Sequence, residues 1–178
     1  MLKITRRDTE STETPDGVVE LDWDNRRRTR FVTRLTDGRD LSLHLDRPSP
    51  GQAQHLRDGD RLIGEDDDGR AVVIVVSAQA ERLIEVTCQD WTALARCAYH
   101  LGNRHALVQV LAGEAGAPAR LRTANDPVME PMLVGLGAVV SRVEAPFEPE
   151  VGAYAHGHDH AGKHDHGSAK IHRFVMKS

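Results

Sequence analysis

The apolar residues of this chain follow a helical period in two segments, and both segments lie C-terminal to residue 80. Asp90 is the predicted N-cap of the first helix, and Asp126-Pro127 begins the second. Gly102 and Gly137 are predicted to end the two helices in the left-handed conformation. The inward-facing positions of the first helix are Trp91, Leu94, Ala95, Ala98 and Leu101. Those of the second are Val128, Met129, Met132, Leu133 and Leu136.

Short apolar runs around these helices predict four strands, at 83–86, 106–111, 119–124 and 138–143. The resulting order, β-α-β-β-α-β, is the split ferredoxin-like arrangement. Residues before 78 contain short strands separated by turns. Val18 to Trp23 is predicted to be a strand that ends at an Asp24-Asn25 turn, and Asp37-Gly38 predicts a hairpin. The sequence therefore predicts an α+β protein. Its parts are a small all-β domain at 1–77, a ferredoxin-like domain at 78–147 and a disordered His-rich tail at 148–178.

Composition limits the possible partners and cellular location of this chain. The formal net charge of -4 gives no general reason to expect nucleic-acid binding. A local basic cluster contains Arg26, Arg27, Arg28 and Arg30. Because aspartates lie beside it, we interpret the cluster as a solvated surface and not as a binding site for a polyanion. No apolar run approaches the ~20 residues that a membrane span needs, and the first residues lack the apolar core of a signal peptide. We therefore expect a cytoplasmic protein that binds neither nucleic acid nor membrane.

The two cysteines, Cys88 and Cys97, are too few and too widely spaced for a disulfide framework or a Cys-x-x-Cys metal site. They are predicted to be buried small hydrophobic residues rather than soft metal ligands. No catalytic sequence motif such as His-Glu-x-x-His or Gly-x-Ser-x-Gly is present. The chain is therefore predicted to be a carrier rather than an enzyme.

Six of the ten histidines lie near the C-terminus, and most residues between them are Gly, Ala, Asp, Lys and Ser. Such residues cannot build a core, so the segment is free to wrap around an ion. Neutral imidazole is a good ligand for nickel, zinc and copper. The competing interpretation is a disordered tail that merely contains histidine. The spacing favours metal capture, and the predicted ligands are His156, His158, His160, His164 and His166.

His105 follows the predicted helix end at Gly102, so it is expected on a turn from which its side chain can project. One surface histidine cannot hold a transition metal that takes about four ligands. A two-fold dimer could bring His105 of each chain to the symmetry axis. Spacing alone leaves His105 open between a metal ligand and a residue that hydrogen-bonds within the turn. His44 and His55 are predicted to be structural or surface residues.

Three features together resemble the UreE family of urease accessory proteins. They are the segment Tyr99-His-Leu-Gly-Asn-Arg-His105, the segment Ala145-Pro-Phe-Glu-Pro-Glu-x-Gly-Ala-Tyr154 and the His-rich tail that follows. The resemblance implies a homodimeric nickel metallochaperone with a peptide-binding-like β domain and a ferredoxin-like metal-binding domain. It implies that His105 is the interfacial ligand and that His156 and His158 are tail ligands. The implied partners are the urease apoprotein complex and its GTPase accessory protein.

Two other functions remain open at the level of sequence. A general zinc or copper buffer would use the same imidazoles, because copper outcompetes nickel at most such sites. A metal-dependent hydrolase would need a carboxylate base near His105, and none is evident in the adjoining sequence.

Overall fold

The computed structural model describes residues 1–8, 12–46, 55–113 and 117–150, whose strands form two sheets. The N-terminal sheet contains β1 (Leu2–Asp8), β2 (Gly17–Leu21), β3 (Arg30–Arg34), β4 (Asp40–His44), β5 (Arg61–Glu65) and β6 (Ala71–Ala78). The C-terminal sheet contains β7 (Ala80–Thr87), β8 (Val108–Leu111), β9 (Arg120–Ala124) and β10 (Val139–Pro146). The helices of these residues are α1 (Trp23–Arg26), α2 (Trp91–Asn103) and α3 (Met129–Gly135). The α+β class is confirmed.

The N-terminal sheet has the order β2-β6-β5-β1-β4-β3. The pairs β1 with β4 and β2 with β6 are parallel, and the other neighbours are antiparallel. Strand β1 was not predicted, although Leu2 and Ile4 are buried and alternate with the exposed Lys3 and Thr5. That period of two is the signal that could have identified it.

The turn Asp37-Gly38 joins β3 to β4 as predicted, and Gly38 has a φ of 89°. The backbones of β5 and β1 lie in close contact at Gly64. A Cβ atom there would lie 1.9 Å from the carbonyl oxygen of Lys3, so no larger residue fits without moving β1. The core of this sheet is aliphatic and contains Leu2, Ile4, Val19, Leu21, Leu35, Leu41, Leu43, Leu56, Leu62, Val72, Ile74 and Val76.

The segment after β2 departs from the sequence prediction. Val18 to Trp23 was expected to be one strand ending at a turn, but β2 ends at Leu21 and the one-turn helix α1 follows. Asp22 caps this helix, because its Oδ1 atom accepts a 2.8 Å hydrogen bond from the main-chain N–H of Asn25. The cap turns the chain inward, and Trp23 is buried.

The C-terminal sheet is antiparallel throughout, with the order β10-β7-β9-β8. This order confirms the predicted ferredoxin-like arrangement. Helix α2 contacts β8 and β9, and α3 contacts β10. Both helices share one core with the strands, formed by Ile84, Val86, Leu94, Cys97, Leu101, Ala119, Leu121, Leu133 and Ala138. Within the described ranges, no helix is long and apolar enough to cross a membrane.

The buried faces of the two helices differ in part from the prediction. On α2 the buried positions are Leu94, Cys97 and Leu101, whereas Trp91 is 73% exposed and Ala95 is exposed. Cys97 lies three residues after Leu94 and four before Leu101, so these three side chains share one face of the helix. Trp91 lies outside that face. Helix α3 begins two residues later than predicted. Asp126 instead caps the preceding turn, where its Oδ1 atom accepts a 2.7 Å hydrogen bond from the N–H of Val128.

A small cluster packs between the two sheets. Trp23 from α1, Leu83 from β7 and Phe147 after β10 are each almost fully buried, and the rings of Trp23 and Phe147 are 6.4 Å apart. The main-chain N–H of Trp23 also donates a 2.8 Å hydrogen bond to Oε1 of Glu81. This cluster holds the N-terminal sheet against the end of the C-terminal sheet where β10 finishes.

Candidate metal centre

His105 occupies the turn that ends α2. The carbonyl of Leu101 accepts hydrogen bonds from the N–H groups of Arg104 and Ala106, both at 3.1 Å. The carbonyl of Gly102 accepts one from the N–H of His105 at 2.9 Å. This pattern is a Schellman motif, with His105 at its left-handed position and a φ of 54°. The motif reverses the chain into β8 and leaves the side chain of His105 exposed.

The predicted helix stop at Gly102 is wrong by three residues. The helix runs on to Asn103, and the left-handed residue is a histidine instead of a glycine. An L-residue in this conformation costs ~1–2 kcal/mol relative to glycine. No other non-glycine residue in the described ranges has a positive φ. The strained position therefore suggests that the imidazole of His105 serves a purpose other than local stability.

His105 is the one predicted ligand that lies within the described residues. His100 lies in the last turn of α2, where its ring makes an edge contact with Tyr99 at 5.5 Å between centroids. No group of three or more His, Cys, Asp or Glu side chains that could hold a metal is found among the described residues. The predicted ligands that lie outside those residues are His156, His158, His160, His164 and His166.

The last described segment, residues 147–150, brings the chain towards the turn that carries His105. We call it the exit segment. It leaves β10 at one edge of the sheet and reaches β8 at the opposite edge. There the N–H of Glu148 donates a 3.3 Å hydrogen bond to Oε1 of Gln109, and the N–H of Glu150 donates one to the carbonyl of Val108 at 2.8 Å. Because Val108 is three residues after His105, the exit segment ends on the strand that follows the candidate ligand.

Arg26 holds the exit segment from the side of the N-terminal sheet. Its guanidinium forms an ion pair with Glu148 and also donates to the carbonyls of Phe147 and, at 3.4 Å, Leu56. The prediction that Arg26 lies on a solvated surface is therefore wrong, because its side chain is 0% exposed. Trp23 and Arg26 are three apart on α1 and share its inner face, with the guanidinium carbon 5.4 Å from the indole centroid.

His55 packs against the same carboxylate. Its Nε2 atom lies 3.4 Å from Oε2 of Glu148, and its ring makes an edge contact with Trp23 at 4.6 Å. Burial lowers the pKa of His55, against the opposing charge of Glu148 and with the help of Arg57 and Arg26. His55 is thus a structural residue of the junction, which is one of the two roles that the sequence had left open.

Cys88 and Cys97 lie together in the C-terminal core, as expected of small hydrophobic residues. Cys97 is fully buried, and Cys88 is half-buried at the end of β7. Their Sγ atoms are 3.9 Å apart, a contact that the nine-residue separation did not predict. Burial and the contact with Cys88 raise the pKa of the Cys97 thiol to about 11.

Two family profiles match almost the whole chain. A profile described as "UreE urease accessory protein, N-terminal domain" matches residues 2–77, and one described as "UreE urease accessory protein, C-terminal domain" matches residues 81–173. The chain belongs to the UreE family of urease accessory proteins. The second match includes every histidine of the predicted tail, from His156 to His172.

Curated relatives named urease accessory protein UreE are similar over most of their length. The protein of Azotobacter vinelandii (strain DJ / ATCC BAA-1303) is 42% identical over 180 residues, which cover 99% of each chain. That of Dechloromonas aromatica (strain RCB) is 44% identical over 142 residues, or 80% of this chain and 75% of the relative. That of Pseudomonas putida (strain W619) is 44% identical over 154 residues, or 86% of each. UreE membership supports a role in urease maturation, as an accessory protein rather than an enzyme.

Proposed function

We propose that this chain is a cytoplasmic nickel metallochaperone that captures nickel on the histidines of its C-terminal segment and delivers it for urease activation. The tighter site contains His105 of two chains, joined by histidines that begin at His156 and His158. The further histidines His160, His164 and His166 add capacity for capture. The cargo is Ni²⁺, and zinc or copper can occupy the same imidazoles in vitro.

The hydrogen bond from Glu150 to Val108 carries this proposal. It holds the last described residue beside the strand that follows His105. From there His156 is six residues further along the chain, a span of at most ~22 Å when extended. Val108 is itself within ~11 Å of His105 along the backbone. An imidazole from the C-terminal segment can therefore reach the same ion as His105.

A second copy of the chain completes the site. Helix α2 exposes an apolar stripe, made of Trp91 and Tyr99 with Ala95 between them, at i, i+4 and i+8. Tyr99 is 65% exposed, and aromatic side chains of this size are enriched at protein interfaces. The stripe continues towards the turn that carries His105. Pairing of two stripes about a two-fold axis would bring the two turns together.

The open geometry at His105 suits delivery. A closed site of four protein ligands would retain its ion, whereas an exposed site with few fixed ligands can release it. The recipients we propose are the urease apoprotein complex and its GTPase accessory protein. Contact with that machinery needs an accessible site, and in the single chain the side chain of His105 is exposed.

Urease activity in a strain that lacks this gene tests the proposal. At limiting nickel, the wild-type protein should restore activity, and His105→Ala should restore little. His100→Ala is the matched control, because it removes a neighbouring imidazole that lies on the helix instead of the turn. Excess nickel should rescue His105→Ala. A general metal buffer would leave activation independent of His105, and full activity of His105→Ala at limiting nickel would overturn delivery through this site.

A further inference from the structure

The two thiols in the C-terminal core lie in contact although they come from different elements. Cys88 follows the last residue of β7, and Cys97 lies in the middle of α2. Their Sγ atoms are 3.9 Å apart, and a disulfide bond requires about 2.05 Å. A rotation of the Cys88 side chain and a small shift of the helix would close this gap. In the described part of the chain, both cysteines are free.

The surroundings of the two sulfurs differ. Cys97 is fully buried among the aliphatic residues beneath α2. Cys88 is half-buried and lines an open cavity of about 570 Å³, together with Asp90, Trp91 and Pro118. A small oxidant in the solvent can therefore reach Cys88 first. Cys97 is then positioned behind it to react with the product.

We propose that Cys88 and Cys97 form a reversible oxidation site in which a hydroperoxide converts the dithiol to an intramolecular disulfide. The thiolate of Cys88 attacks one oxygen of the peroxide, the O–O bond breaks, and Cys88 becomes a sulfenic acid while hydroxide leaves and is protonated. The sulfur of Cys97 then attacks Sγ of Cys88. The S–O bond breaks, the proton of Cys97 leaves with that oxygen as water, and the S–S bond forms. Two thiols and one hydrogen peroxide thus give one disulfide and two waters.

The raised pKa of Cys97 agrees with this order of events. At neutral pH this thiol stays protonated, so it is a poor first nucleophile and Cys88 is the group that meets the peroxide. The bond would tie α2 to the end of β7 and so restrain the helix that leads into the turn of His105. The contact of the two sulfurs does not depend on the proposed nickel delivery.

Peptide mapping of the full-length protein tests the site directly. Trypsin cleaves after Arg82, Arg96 and Arg104, so Cys88 falls in peptide 83–96 and Cys97 in peptide 97–104. After treatment with hydrogen peroxide and blocking of free thiols, the two peptides should appear as one linked species that dithiothreitol separates. Recovery of both peptides with blocked thiols would overturn the proposal. Linkage of peptide 83–96 to a second copy of itself would overturn it as well.

Single substitutions test the assigned order. In Cys97→Ser, the sulfenic acid on Cys88 has no partner and should be trapped by dimedone. In Cys88→Ser, the buried thiol of Cys97 should give little dimedone adduct under the same exposure. Stronger dimedone labelling of Cys97 than of Cys88 would contradict the order. If either variant fails to fold, alkylation of the reduced wild-type protein decides instead, since peptide 83–96 should be modified before peptide 97–104.

Discussion

Arg26 and Glu148 form an ion pair that joins the N-terminal sheet to the segment leaving the C-terminal sheet, across 122 positions of sequence. The guanidinium is fully buried, and the carboxylate retains 32% of its exposure. The same guanidinium also donates to the carbonyl of Phe147. One side chain thereby fixes both the junction between the sheets and the start of the path that leads the chain towards His105.

Replacement of Arg26 by methionine should destabilise the protein by about 2–4 kcal/mol. The change leaves Glu148 and the carbonyl of Phe147 without their buried donor, while the volume is largely kept. The free energy of unfolding from urea titration measures the effect. Arg27→Met is the matched control, because the ion pair of Arg27 with Asp24 is exposed and should be worth less than ~1 kcal/mol. Equal losses in the two variants would contradict the role assigned to Arg26.

Replacement of His105 by glycine should remove the tight nickel site and yet stabilise the metal-free fold by about 0.5–1 kcal/mol. Glycine relieves the left-handed backbone strain, and part of that gain is offset by its greater freedom in the unfolded chain. His105→Ala should lose the same nickel site without the gain in stability. Calorimetric nickel titration and thermal unfolding measure both. A His105→Gly protein that still binds nickel tightly would show that the bridging ligand lies elsewhere.

Acid should weaken the junction through His55. Its pKa is lowered in the folded state, chiefly by burial, so the unfolded chain takes up the proton first as pH falls below ~6.5. The free energy of unfolding should therefore fall as pH drops below this value, by at most ~1.4 kcal/mol per pH unit from this group, until the folded-state pKa is reached. His55→Asn should flatten the profile below about pH 6.5. His44→Asn, which removes an exposed imidazole on β4, is the matched control, and equal flattening in the two variants would contradict the role of His55.

The apolar stripe on α2 should form the dimer interface. Tyr99→Glu places a charge on the stripe, so light scattering of the full-length protein should report a monomer. Val32→Glu is the control, since Val32 is 67% exposed on β3 of the N-terminal sheet and the variant should remain dimeric. A dimeric Tyr99→Glu protein and a monomeric Val32→Glu protein would instead locate the dimer interface on the N-terminal sheet. The proposed bridging by two His105 side chains would then be wrong.

A chain ending at Glu150 should lose nickel capacity with little loss of stability. The truncation removes six imidazoles, and it keeps the N–H that bonds to Val108. Nickel per dimer should fall while binding that depends on His105 persists, and metal-free unfolding should change by less than ~0.5 kcal/mol. For the full-length protein, nickel capture should weaken below pH ~6.5, because an imidazolium has no lone pair to donate. A large fall in the melting temperature on truncation would show that residues 151–178 also stabilise the fold.

Local patterns in the sequence were enough to predict the order of the C-terminal elements. Helical and alternating apolar periods, the cap at Asp90 and the stop at Gly137 each depend on residues within a few positions, and the structure agrees with them. The resemblance of the segment around His105 and of the His-rich region likewise led to the UreE family, which the comparisons confirm.

Tertiary structure alone decided the features that depend on distant neighbours. Arg26 looked like part of a basic surface, because nothing near it in sequence shows that Glu148 lies across the junction. The contact of Cys88 with Cys97 arises because α2 folds back over the sheet, which brings a strand end and a mid-helix position together. The left-handed backbone of His105 depends on which carbonyl accepts the hydrogen bond from the N–H of Ala106 after the helix. In the sequence, Gly102 was the stronger candidate for the left-handed residue, because glycine favours that conformation. Sequence patterns report local backbone preference and amphipathicity, whereas the burial of a charge or the meeting of two thiols is set by the packing of elements that are far apart in the chain.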